Sequence, residues 1–80
     1  MKPGDLVTSR STFGALMFSD SHKTDFISGE VVGKLSNDEV GVIVYVSQRQ
    51  YAPEIDDKKV IVMNQSGVAG TLWMNGVKLA

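Results

Sequence analysis

The stretch DEVGVIVYVS, Asp38 to Ser47, constrains the fold more than any other in the chain. Successive side chains of a strand point to opposite faces, so a half-exposed strand alternates apolar with polar residues. Here Val40, Val42, Val44 and Val46 share one parity, and Gly41, Ile43 and Tyr45 share the other. Both faces of this strand need cover. In one arrangement the strand is central and curved, and the long loop before it lays Phe13, Leu16 and Phe18 over the outer face. In another, Ile43 and Tyr45 join Val32, Ile61 and Met63 of neighbouring strands in an apolar patch that meets a second copy of the chain. In the third, that patch receives a different partner. Each such side chain is worth ~1.5–3 kcal/mol when fully buried, and large exposed patches mark interfaces.

Eighty residues make one small domain, 1–80, with a thin core. Domains of this size often lean on disulfides, metals or oligomers. With no cysteine, neither a disulfide nor a thiolate metal site is available, which fits a reducing compartment. Eight Lys plus Arg against nine Asp plus Glu leave a net charge of −1, so no basic surplus points to nucleic acid or to an anionic membrane. MKPGDLVTSR carries no apolar run behind Lys2 and does not read as a signal peptide. The apolar run Val42 to Val46 is far short of the ~18 residues that cross a bilayer. A cytoplasmic protein with no membrane partner is expected.

The chain reads as strands separated by turn chemistry. GDLVTS is a short first strand behind Pro3. Arg10 to Phe26 fits neither the helical nor the strand period; it reads as a long loop that folds its aromatics back onto the sheet, with room for a single helical turn at 13–18. Ile27 to Leu35, the turn signal Ser36-Asn37-Asp38 and the opening stretch read as a β-hairpin. SQRQYAPEIDDKK is a second, polar loop. KVIVMN turns through Gln65 to Gly67 into VAGTLWM, and Asn75-Gly76 turns again into VKLA. The expectation is an all-β chain of five or six short strands, a small sandwich or barrel.

That order, with a long loop after the first strand and a short last strand behind a turn, resembles the SH3-like barrels. The resemblance implies a 3₁₀ turn before the last strand, a bend at Gly70, Leu72 and Met74 pointing inward, and Val77 and Leu79 closing the barrel. Gly4-Asp5-Leu6-Val7, Gly41-Val42-Ile43-Val44, and Gly70 with Trp73 resemble the pattern of small phage-encoded proteins of this fold, including those of marine and cyanobacterial viruses. It implies a viral setting and assigns no particular function, since a fold does not fix one.

His22, the one histidine, lies between Asp20 and Asp25 in SDSHKTD. A metal or acid–base site there lacks zinc spacing and a full ligand shell, so a polar loop tip is the better reading and no metal is expected. Asp56 and Asp57, beside Lys58 and Lys59, would face opposite ways on a strand and read as a self-neutralising solvated turn. Ser9, Ser11, Thr12, Ser19, Ser21 and Thr24 crowd the first loop without G-x-S-x-G, and no glycine pattern builds a phosphate cradle. No catalytic residue and no cofactor are expected. Trp73 closes the barrel or caps an apolar groove, and the first is favoured.

These readings leave a noncatalytic module for protein interaction or assembly, with a protein partner or self-association into a homo-oligomer. The candidate binding patch is Val32, Ile43, Tyr45, Ile61, Met63 and Trp73. The alternative of a nucleic-acid-associated barrel would require salt-dependent binding and finds Arg10, Lys23 and Arg49 scattered over loops. A further alternative resembles the plasmid-borne trimethoprim-resistant dihydrofolate reductases, oligomeric enzymes of similar length. Their pore strand carries a Val-Gln-Ile-Tyr type of run, where this chain has Val60-Ile61-Val62-Met63.

Overall fold

A computed structural model of the chain describes residues 1–48 and 57–80. Most of the second loop, with Arg49, Tyr51, Pro53, Glu54 and Asp56, lies outside the described residues. β-branched and aromatic residues cluster in seven short strands, as their fit to a pleated, half-buried surface dictates. These are β1 (Leu6–Ser9), β2 (Ala15–Phe18), β3 (Val31–Leu35), β4 (Gly41–Val46), β5 (Lys59–Met63), β6 (Ala69–Trp73) and β7 (Val77–Leu79). Every ladder is antiparallel, and the strands form one sheet in the order β3-β2-β6-β5-β4-β1-β7. The class is all-β as expected, with seven strands among the described residues rather than five or six.

The extra strand is β2, in the middle of the segment read as loop. Ala15 and Met17 turn inward and Leu16 and Phe18 outward, a two-step alternation too short to stand out beside the hydroxyl-rich flanks. The helical turn considered at 13–18 does not form. The hairpin expected between β3 and β4 is absent as well. Ser36 to Glu39 does make a turn, with Glu39 N–H donating to the Ser36 carbonyl at 3.2 Å. But β3 pairs with β2, while β4 pairs with β5 and β1.

The strand order separates β3 from β4, and the curl of the sheet brings them back together. Strands lie ~4.8 Å apart, so four intervals of a flat sheet would hold β3 and β4 ~19 Å apart. Instead, a Cβ built on Gly41 of β4 would stand 3.0 Å from Leu35 Cδ1 of β3 and 2.7 Å from Val62 Cγ1. The sheet closes over one core made of Val7, Met17, Leu35, Ile43, Val46, Val60, Val62, Leu72 and Val77, from all seven strands. Glu39 stitches the ends of the curl: it accepts the Ser36 N–H at 2.7 Å and the Gln65 N–H, from the β5–β6 turn, at 3.2 Å.

The two-sided apolar strand has a simple explanation. Ile43 pairs with Val62 and Tyr45 with Ile61, so Val44 is one residue too many. A bulge reverses the parity of all that follows. Gly41 and Ile43 face the core before it, Val46 faces the core after it, and Val44 and Tyr45 are turned out. The valines thus do not share a face. A second bulge at Val32 separates the pairs Met17–Gly33 and Phe18–Val31.

The end of the chain follows the resemblance in part, and Gly70 pairs with Val62 in regular register within β6. A 3₁₀ turn, Met74–Gly76, precedes β7. Leu72 and Val77 are buried and Met74 packs on the core, but Leu79 is exposed.

Candidate functional site

The outer face of the sheet carries the polar chemistry. On β5, Val60 and Val62 face the core, which turns Lys59, Ile61 and Met63 outward. Tyr45, Ile61, Thr71 and Phe18 are successive cross-strand partners on β4, β5, β6 and β2, and Lys59 faces Trp73 one step along. Over this row lies a strap, residues 19–30. Its base is closed by Ser19 N–H to the Glu30 carbonyl at 2.9 Å and Glu30 N–H to Ser19 Oγ at 3.1 Å. Gly29 has φ of 88°, and a Cβ there would stand 2.5 Å from the Ser19 carbonyl oxygen, so this corner requires glycine.

Asp20 organises the strap. Its Oδ1 accepts the Ser28 N–H at 3.0 Å and the Ser28 hydroxyl at 3.1 Å, and its Oδ2 accepts the His22 N–H at 3.1 Å. Into this carboxylate runs the ammonium of Lys59, 2.8 Å from Oδ2, and both side chains are 0% exposed. Lys59 Nζ also donates to the carbonyls of Thr24 at 2.9 Å and Phe26 at 3.1 Å. Burial pushes the Asp20 carboxyl up; the Lys59 ammonium and the bonds from Ser28 and His22 outweigh it and hold it at about 2. Lys59 was expected in a solvated turn beside Asp57. It sits instead beneath the strap, while Asp57 accepts the Asn75 N–H at the 3₁₀ turn.

His22 is likewise no free loop tip. It adopts φ of 60°, the left-handed region, which turns its ring down onto the sheet. Nε2 lies 3.0 Å from Thr71 Oγ1, and the ring meets Tyr45 edge-on at 5.8 Å between centroids. Nδ1 is buried and unpartnered. Histidine beside a hydroxyl is the start of a nucleophile–base pair, but a working pair needs an accessible hydroxyl and a group that orients the base. Thr71 is buried, and nothing holds Nδ1. Among the described residues no three His, Cys, Asp or Glu side chains gather as metal ligands, and no helix is long and apolar enough to cross a membrane.

The candidate patch is divided by the fold. Ile43 is 1% exposed and belongs to the core, because the bulge follows rather than precedes it. Tyr45 and Ile61 are neighbours beside the strap, and Trp73 is half-buried across from Lys59, outside the core it was expected to close. Met63 lies at the other end of β5, between Val42 and Ala69. Val32 is at the bulge of the edge strand β3. Nor do the loop aromatics fold back. Phe13 is 85% exposed and Phe26 68% exposed, and only Phe18 is half-buried. The cover over β5 and β6 is polar.

Asp20, Lys59 and Thr71 were missed as a group. The signal was present in KVIVM, where Val60 and Val62 claim the core and place Lys59 on the same face as Ile61. Asp20-x-His22 has the spacing of an Asx-turn, in which the carboxylate accepts the N–H two residues on. Comparison of the chain with protein-family models, with curated proteins and with solved structures returned no match.

Proposed function

We propose that the chain is a noncatalytic interaction module built on an SH3-like barrel, and that it works by presenting the strap. The observation that carries this reading is the contrast within one residue. The Phe26 carbonyl is pinned by the buried Lys59 ammonium at 3.1 Å and by the Thr24 hydroxyl at 2.6 Å, while its side chain stands in solvent. An aromatic ring on a backbone already ordered loses little entropy on binding, and such anchors dominate interface energies. Tyr45, 45% exposed at the strap's flank, extends the same surface. The 3₁₀ turn before the last strand and the excursion between β1 and β3 support the SH3-like assignment. The resemblance to phage-encoded barrels suits an assembly setting. Against catalysis stand the buried Thr71 hydroxyl and a lysine amine already committed to three acceptors.

The test places a photo-crosslinking phenylalanine analogue at position 26, with the same probe at exposed Ser66 as the control. The reading expects one predominant adduct from position 26, whether a second copy or another protein, and none of it from position 66. With that partner purified, Phe26→Ser should weaken binding by at least about 2 kcal/mol, roughly thirtyfold. A scatter of adducts, or equal trapping from both positions, removes the reading.

A further inference from the structure

We propose that the strap is a binding loop for a monovalent cation, and that the chain supplies the cation itself as the Lys59 ammonium. Asp20 Oδ2, the Thr24 carbonyl and the Phe26 carbonyl converge on one point at 2.8, 2.9 and 3.1 Å. The carboxylate is oriented by bonds that do not involve Lys59, from His22 and Ser28 within the strap. The cradle is thereby organised locally, and the lysine enters it from the sheet below.

The geometry defines the class of cation. Calcium takes 6–8 oxygens at ~2.3–2.6 Å and magnesium a near-octahedral shell at ~2.0–2.1 Å. The oxygens of Asp20, Thr24 and Phe26 stand 2.8–3.1 Å from the centre they surround, longer than either ion prefers; that spacing suits a larger ion of charge +1, such as ammonium, methylammonium or potassium. What the strap requires at this point is therefore a positive charge of that size, and the lysine stem serves to tether it. This claim goes beyond the interaction reading and does not depend on it, since it concerns how the strap closes and not what it meets.

Lys59→Ala vacates both the cradle and the path to it; Lys59→Met fills the path and leaves no charge. The melting temperatures of both and of the parent chain are measured in ammonium, methylammonium and potassium chloride, against tetramethylammonium chloride at equal ionic strength as an ion too wide to enter. Lys59→Ala is expected to melt higher in the small cations, by about 5–10 °C for each tenfold rise in concentration beyond half-saturation. The parent chain and Lys59→Met should show no such preference, and adding Asp20→Asn to Lys59→Ala should abolish it. An equal response of Lys59→Ala to all four salts overturns the proposal. So does a Lys59→Ala chain that stays unfolded in every one of them.

Discussion

Lys59 governs the outer face because an ammonium cannot be left in a dry place without acceptors. Removing one partner of a buried ion pair typically costs ~3–5 kcal/mol, since the other charge stays behind uncompensated. A chain of this length has of order 4–12 kcal/mol of stability in all, so Asp20→Asn should remove about a quarter or more of it. The same pair sets the acid response. The folded Asp20 carboxyl sits at about 2 against an ordinary 3.8. A depressed carboxyl contributes fully above its unfolded value and loses that contribution as the pH falls through its folded one. Urea midpoints taken from pH 7 downward should stay level, as far as Asp20 is concerned, until about pH 5. They should then fall towards pH 2, and the part of that fall missing in Asp20→Asn belongs to this carboxyl. An identical pH profile in both chains would mean that Asp20 is not ionised against Lys59. At this scale the residues were legible but their pairing was not. Asp20 and Lys59 are 39 positions apart, and each had a closer neighbour of opposite charge to satisfy it on paper.

Among the elements, β4 shows how a single residue reassigns a strand. Its apolar run was read correctly as a strand, and its parity was misread, because a bulge leaves no mark in a stretch of uniform β-formers. The same holds at Val32: alternation would put Val31 on the face of Leu35, and the bulge leaves Val31 exposed. β2 was lost for a different reason: four residues carry too short an alternation, and its pairing with β3 and β6 is what makes it a strand. Gly41 is the element-scale test. It faces the core where β3 closes on β4, and an added methyl would meet Val62 Cγ1, Leu35 Cδ1 and the Met63 carbonyl, all within 3.0 Å. Gly41→Ala should destabilise the fold by ~1–3 kcal/mol, the usual cost of overpacking a core, as read from chemical denaturation. An alanine tolerated at no cost would show that the curl is looser than described.

Over the whole molecule, stability is distributed by position in the sheet. β5 and β6 are central, paired on both edges, and covered by the core on one face and the strap on the other. β3 and β7 are the outermost strands. Amide exchange should be slowest for Val60, Val62 and Leu72, and faster by at least about a hundredfold in β7, where opening requires only local fraying. Uniform protection across the sheet would mean that β3 and β7 have partners in solution. Such a result would favour self-association, the partner expected from the two-sided strand. The bulge and the strap account for the inner face of β4 and for Lys59 and Ile61 on β5, while Val44 and Tyr45 stay exposed.

Sequence alone determined the class of structure: short strands, with turn residues between them, down to the turn at Asn75-Gly76 before the last one. These are local properties, set by side-chain shape and by the backbone preferences of glycine, asparagine and proline. Only the tertiary structure decided which strands pair, which residue bulges, and that Lys59 is buried under the strap rather than solvated beside Asp57. Those outcomes depend on groups far apart in the chain competing for the same few ångströms. Burial raises the stakes of each polar contact, and no local pattern records which distant acceptor will be there.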